Sequence, residues 1–183
     1  DPLAFQGMAV LQSLRDLFIA ADPRRAEVVP APPTVYEIRP LTKKQLREVA
    51  KLNLRCFARG ENYSRHTFTY LLDNPETLSY RAVTPSGEMT GFIFAMMNPD
   101  GAAHITTIGV APEHRRRDLA SRLLVHLEDA LRAKGVSTVV LEVRLSNLVA
   151  QELYKRRGYA SVQLLKNYYS NGEDGYLMTK SLI

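Results

Sequence analysis

Two stretches of this chain combine residue types whose spacing allows chemistry. In ITTIGVAPEHRRRDLASRLL (residues 105–124), an apolar run ends at Ala111 and is followed by Pro112, three arginines and the start of a long helix. A helix N-terminus presents unpaired amides and about half a positive charge, which suits a phosphate. Arg115, Arg116 and Arg117 would strengthen such a site. The stretch is neither a Walker phosphate loop, lacking Gly-Lys-Ser/Thr, nor a glycine-rich dinucleotide fingerprint. On charge alone, an arginine triplet at a helix start is equally a solvated surface cluster. In LEVRLSNLVAQELYKRRGY (residues 141–159), Glu142 sits on a strand between Leu141 and Val143 and shares its face with Val140 and Arg144. Asn147 is a good N-cap, and Tyr154 falls on the second turn of the helix it opens. A strand Glu near a helical Tyr would give one cleft a proton acceptor and a proton donor. The plainer alternative makes Glu142 a surface charge and Tyr154 a core aromatic.

The elements that must position these residues are regular from Tyr36 onward. VYEIR reads as a short strand. Thr42 caps a helix through KKQLREVAKLNLRCF with apolar positions 46, 49, 52 and 54, and Ser64 caps a second helix, RHTFTYLLD. Strands LSYRAV, EMTGFIFAMM and AHITTIGVA follow, joined by PSG and NPDG turns. A long helix over about 117–134 carries Ala120, Leu123, Leu124, Leu127, Ala130 and Leu131 on one face and ends at Lys134 and Gly135. Next come STVVLEVR, a helix from Asn147 to Arg157 stopped by Gly158, and the strands YASVQLL and YLMTKSL. Hairpins first and a β-α-β-α-β unit after make a mixed α/β domain.

Ahead of this pattern, Met8–Ala21 has a helix-like period, with Arg15 and Asp16 arguing against a signal peptide. The prolines from Pro23 to Pro33 read as a semi-rigid linker. The reading is therefore an N-terminal extension over 1–34, its first seven residues preceding Met8, and a single domain over 35–183. At 183 residues, 45% apolar and 23% charged, the chain is built like a globular domain and not like a disordered one. Its one cysteine, Cys56, excludes an internal disulfide framework and a cysteine zinc cluster. No apolar run has the roughly 18 residues of a membrane span. A net charge of +5 fits an anionic partner such as a nucleotide, with no nucleic-acid-binding motif in view. The expectation is a cytoplasmic protein without a metal, a membrane association or a direct nucleic-acid contact.

Together the two stretches resemble the GNAT superfamily of N-acetyltransferases. Within it they look like the protein N-terminal acetyltransferases, of the ribosomal-protein-alanine (RimI) type and the NatA catalytic-subunit type. The resemblance covers about residues 35–183 and is carried by RRRDLASRLL, LEVRLSNLVAQELYKRRGY and LLKNYYSNGEDGYLMTKSL. It implies a mostly antiparallel mixed sheet of about seven strands with a splayed central pair, flanked by about four helices. It also implies an enzyme that moves acetyl from acetyl-CoA to the free α-amine of a protein or peptide, ribosomal or nascent chains among them.

The superfamily signature Arg/Gln-x-x-Gly-x-Gly/Ala reads here Arg115-Arg116-Arg117-Asp118-Leu119-Ala120, with Ser121 beside it and Asp118 in place of the central Gly. Asp tolerates left-handed or capping backbone, so the resemblance implies retained and, if anything, weakened acetyl-CoA binding. It puts the pantetheine arm along Ile108, Gly109 and Val110, with Asn147 and Tyr154 lining the cofactor side. Tyr154 matches the general acid to the departing thiolate, and Glu142 the general base. His104, at the opening of the strand before the signature, would share in deprotonation or touch substrate. Cys56 is at no nucleophile position, which implies direct attack without an acyl-enzyme. Glu61, Asn62 and Tyr63 resemble a substrate-loop element, and Tyr168 and Tyr169 a tyrosine pair that holds the acceptor peptide. Three alternatives remain: a lysine or small-amine acetyltransferase of the same fold, a non-catalytic acyl-CoA-binding module, and a nucleic-acid-binding module, this last resting on the net charge alone.

Overall fold

The structure is a computed structural model that describes residues 28–57 and 62–183. The expected helix from Met8 to Ala21, the linker's Pro23 and Glu61 lie outside the described residues. The elements run in the order β1 (Glu37–Pro40), α1 (Leu46–Cys56), α2 (Arg65–Asp73), β2 (Thr77–Val83), β3 (Met89–Met97), β4 (Ala102–Val110), α3 (Leu119–Ala133), β5 (Thr138–Arg144), α4 (Leu148–Arg156), β6 (Ala160–Leu165) and β7 (Gly175–Ser181). Thr42 and Gln45 form a reciprocal capping box, but the turn they open is a 3-10 turn over Lys43–Gln45 that leads into α1. Ser64 Oγ accepts from the Thr67 amide at 3.1 Å and starts α2 where the cap signal put it.

The seven strands form one sheet in the order β1-β2-β3-β4-β5-β7-β6. Every neighbouring pair is antiparallel except β4 with β5, which run parallel. That parallel pairing lasts only from Ala102↔Thr138 to His104↔Val140, and beyond it the two strands part. In β4 the register with β3 steps from Ala95↔Ile105 to Phe94↔Thr107, so Thr106 is an extra residue in a β-bulge. The splayed pair implied by the resemblance is thus present, with the bulge two residues past its fork.

β3 is buried on both faces, and its alternation divides the core. Ile93 and Ala95 join α3 and Tyr154 of α4 on one side of the sheet, while Phe92 and Phe94 meet Val49, Leu52, Phe68 and Leu71 of α1 and α2 on the other. Two expected helix faces are corrected. Leu54 of α1 is 57% exposed, and the buried position beside it is Asn53, whose Nδ2 donates to the Tyr63 carbonyl at 3.2 Å. In α3 the core face takes in Leu119, Ser121 and Glu128, while Ala120 and Ala130 are half-buried at its margin. Among the described residues, no helix is long and apolar enough to cross a membrane.

Candidate active site

At the fork between β4 and β5 five of the side chains singled out in the sequence come together: His104, Glu142, Tyr63, Tyr168 and Tyr169. Leu141 and Val143 of β5 point into the core, so alternation turns Glu142 and Arg144 to the other face. His104 is the last β4 residue paired with β5, and its Nε2 lies 2.6 Å from Glu142 Oε2 across the opening. Tyr63, from the loop before α2, donates its hydroxyl to the carbonyl of the bulged Thr106 at 2.8 Å. That loop is held from behind by Asn53 and by Asn62, whose Nδ2 donates to the Phe57 carbonyl at 3.3 Å. From the other side the β6–β7 hairpin brings in Tyr168, near enough to the Glu142 carboxylate for its charge to act on the phenol, and Tyr169, its ring centroid 5.2 Å from that of Tyr168 in an edge-to-face pair.

One carboxylate therefore faces a histidine and three phenols. Burial raises the Tyr63 hydroxyl, and the Glu142 charge raises it further. Burial, then Glu142, does the same to Tyr168. Burial pushes Tyr169 up to about 12 against the opposing pull of Arg144. All three phenols stay protonated at neutral pH and serve as hydrogen-bond donors around the carboxylate.

The hairpin is fastened to β5 by Arg144 and Glu173, two residues that the sequence reading did not single out. The Arg144 guanidinium sits 3.9 Å from the Tyr169 ring centroid, donates to Asn171 Oδ1 at 3.2 Å and pairs with the Glu173 carboxylate. Glu173 Oε1 also accepts from the Ser146 amide at 2.9 Å. The hydrogen bonds from Ser146 first, and Arg144 after them, lower the Glu173 carboxyl from 4.5 to about 2. A lowered carboxyl stabilises the fold above its unfolded value and loses that contribution as it protonates. The stability difference between wild type and Glu173→Gln is therefore expected to be constant above about pH 5 and to shrink as pH falls from 4.5 towards 2, in urea unfolding series run across that range.

At the other end of the fork the three signature arginines separate. Arg115 turns back on β4, donating to the Val110 carbonyl at 3.1 Å and the Cys56 carbonyl at 3.4 Å. Arg117 is committed to the linker, donating to Tyr36 Oη at 2.7 Å, to the Pro32 carbonyl at 3.0 Å and to the Ala31 carbonyl. Arg116 is exposed. Asp118 precedes α3 in left-handed backbone at φ 59°, ψ 15°, the conformation a Gly adopts at least cost, and its side chain makes no cap hydrogen bond. Leu119 and Ser121 are buried and Ala120 half-buried in the first turn of α3.

Ile108, Gly109 and Val110 lie on the part of β4 that has left β5 and pair only with β3. Gly109 is a steric requirement: a Cβ there would stand 2.7 Å from the Phe92 ring and 3.0 Å from Cys56 Sγ. Burial pushes the Cys56 thiol up to about 11, which leaves it a poor nucleophile at neutral pH. Asn147 caps α4, its Oδ1 accepting from the Ala150 amide at 3.1 Å. Tyr154 is buried, with its ring 5.7 Å from that of Tyr159. Burial, then the neighbouring Tyr169, raises its phenol, so it holds its proton.

A proton-accepting carboxylate, a ring of phenol donors, an unpaired strand edge and a helix start opening on one fork suit transfer of an acyl group from a thioester to an amine. Comparison with known proteins points the same way. The sequence model of the Acetyltransferase (GNAT) family matches residues 46–159. The N-terminal acetyltransferase A complex catalytic subunit ard1 of Schizosaccharomyces pombe is 34% identical over 151 residues, covering 79% of this chain and 84% of that one. An N-alpha-acetyltransferase of Sulfurisphaera tokodaii is 30% identical over 159 residues, covering 80% and 93%. The crystal structure of the ribosomal-protein-S18-alanine N-acetyltransferase from Escherichia coli superposes with a TM-score of 0.74 at 28% identity, covering 81% of this chain and 94% of that one. With the forked sheet, its flanking helices and a family match over most of the domain in agreement, the chain belongs to the GNAT acetyltransferase family.

Proposed function

We infer that this acetyltransferase moves acetyl from acetyl-CoA to the free α-amine of a protein or peptide, by direct attack in a ternary complex. The observation that carries the reading is the Glu142 carboxylate at the mouth of the fork, hydrogen-bonded to His104 and ringed by Tyr63, Tyr168 and Tyr169. The β4 segment beyond His104 offers backbone amides and carbonyls to an extended pantetheine arm, and the turn at Arg116 and Asp118 leads phosphates to the start of α3. Bound there, acetyl-CoA supplies a thioester whose carbonyl carbon is the electrophile. Glu142, directly or through a water, takes the proton that the attacking amine must lose. The amine has a reference value of about 7.7–8.0, so only one proton has to move near neutrality. Tyr154 protonates the departing thiolate. Tyr63, Tyr168 and Tyr169 orient the acceptor backbone. Ribosomal or nascent proteins in the cytoplasm are the acceptors in this reading, and a free, unpaired Cys56 is compatible with that location.

Asp118 gives the reading a quantitative test. Asp118→Gly keeps the left-handed turn and removes a carboxylate from beside a phosphate site. Acetyl-CoA is expected to bind about three- to tenfold tighter by titration calorimetry, the effect of one charge at a helix terminus. The acceptor is tested by CoA release with short peptides that differ in their first two residues, beside an N-blocked, lysine-containing control. Turnover confined to free N-termini is expected. Turnover on the blocked control would move the acceptor to a lysine side chain, and silence with acetyl-CoA still bound would leave a binding module.

A further inference from the structure

Around Glu173 a set of contacts leads, residue by residue, from the hairpin loop to the carboxylate at the fork. Glu173 is half-buried and bridges two parts of the chain, its Oε1 on the Ser146 amide of the turn after β5 and its Oε2 on Arg144. Asn171 Oδ1 reinforces the bridge by accepting from Arg144 and from the Glu173 amide, at 3.2 and 3.1 Å. The Glu173 carbonyl in turn accepts from the Tyr169 amide at 3.1 Å, closing the loop on itself. Arg144 so held lies 3.9 Å from the Tyr169 ring centroid, and that ring meets Gly175 closely enough that a Cβ there would stand 2.9 Å from it. Tyr169 packs edge-to-face against Tyr168, and the Tyr168 phenol lies within the field of the Glu142 carboxylate. Arg144 itself is two residues from Glu142 on the same strand face.

We propose that Glu173 is a positioning residue for acceptor recognition: by clamping Arg144 it fixes Tyr169 and Tyr168 over Glu142 and so presets the side of the cleft that receives the acceptor amine. The proposal rests on the reading of the fork as an acetyltransferase site and adds a residue that touches neither acetyl donor nor acceptor.

Three physical points support it. The bridge is made of charge-assisted hydrogen bonds, the class strong enough to hold a surface hairpin in one geometry. Its carboxylate remains ionised across the working range, since its hydrogen bonds lower it to about 2. The Arg144 guanidinium is engaged on the hairpin by Glu173, Asn171 and the Tyr169 ring together. The bridging groups belong to β5, the turn after it and the hairpin, whereas the expected phosphate turn belongs to the connection between β4 and α3.

The role predicts an effect on acceptor binding without an effect on donor binding. In Glu173→Gln the side chain keeps its size and the acceptor oxygen for Ser146 but loses the ion pair. The measurement is the affinity of a peptide with a free N-terminus, labelled at its C-terminus, by fluorescence anisotropy in the presence of CoA, beside calorimetric titration of acetyl-CoA. Acceptor Kd is expected to rise about tenfold, the worth of one charge-assisted contact, with acetyl-CoA Kd changed by less than about twofold. In a Tyr169→Ala background the same substitution is expected to change acceptor Kd by less than about twofold, because the ring it positions is gone. An unchanged acceptor Kd in Glu173→Gln, a parallel loss of both affinities, or the full penalty persisting without the Tyr169 ring would each overturn the proposal while wild-type turnover on free N-termini left the function standing. A wild type that binds the N-blocked lysine peptide and not the free N-terminus would overturn the N-terminal reading instead, and the Glu173→Gln comparison then applies with the same criteria to that acceptor.

Discussion

Glu142→Gln should lower kcat for a free N-terminal peptide by about 10²–10³-fold at pH 7, within the range that one positioned general base contributes. The substitution preserves side-chain volume and a hydrogen bond to His104 Nε2, now 2.6 Å from the carboxylate. What it removes is the proton acceptor. No phenol nearby can take over, because Tyr63, Tyr168 and Tyr169 are all raised and remain donors at neutral pH. Among the described residues of the cluster, the other candidate acceptor is His104, and in this arrangement it orients the carboxylate. His104→Asn is accordingly expected to cost far less, about tenfold. The pH dependence supplies an independent check. As pH passes the amine's own value of about 8, solution delivers the neutral amine and the base is needed less. The ratio of wild-type to Glu142→Gln rates should therefore narrow between pH 7 and pH 9. Acetyl-CoA affinity should be unchanged, since the turn expected to hold its phosphates is at the start of α3 and Glu142 is on β5. A kcat within threefold of wild type, or a larger loss in His104→Asn than in Glu142→Gln, would remove Glu142 from the role of base.

Much of this cluster was legible in the sequence, and the limits of legibility have physical reasons. Period-two burial placed Glu142 and Arg144 on one face of β5, and cap signals at Ser64 and Asn147 located two helices that the structure starts at the next residue. The resemblance left Asp118 either left-handed or capping, and the structure gives it the left-handed turn without a cap hydrogen bond. Other features depend on contacts that local pattern does not encode. The apolar count in α1 assigned Leu54 inward, yet the helix buries Asn53 instead because the Tyr63 loop needs a donor at its back. Three consecutive arginines looked like one phosphate site, but consecutive residues at a turn point apart, and Arg115 and Arg117 are claimed by β4 and by the linker. Arg144 and Glu173, 29 positions apart, showed only as strand and turn charges. Ion-pair partners of that kind are fixed by strand register and loop closure, and only the folded chain brings them together.

The same limit applies to Glu128, a helix charge whose partners lie far from it in the sequence. In the structure it is 1% exposed and lies between two elements distant in sequence. Tyr159 Oη donates to its Oε1 at 2.9 Å, and Lys180 Nζ of β7 donates to its Oε2 at 2.6 Å, with the ammonium 5.6 Å from the Tyr159 ring. Coulomb attraction offsets the desolvation of both charges only while both are present. Glu128→Ala would leave the Lys180 ammonium and the Tyr159 hydroxyl in a poorly solvated site. It is expected to cost about 3–5 kcal/mol by urea unfolding, a large share of the roughly 5–15 kcal/mol that a domain has. Replacing both partners by Met should recover most of that loss, because an apolar pair of similar volume carries no desolvation cost. The double variant also separates stability from chemistry. Tyr159 is the ring against which Tyr154 packs, at 5.7 Å, and without Glu128 its hydroxyl has lost its acceptor. If the pair serves packing alone, the double variant regains both stability and kcat. If Glu128 holds Tyr159, and through it Tyr154, in place for proton donation, stability returns while kcat stays about tenfold down. A Glu128→Ala protein with an unchanged urea midpoint would show that the buried pair does not hold α3 to β7.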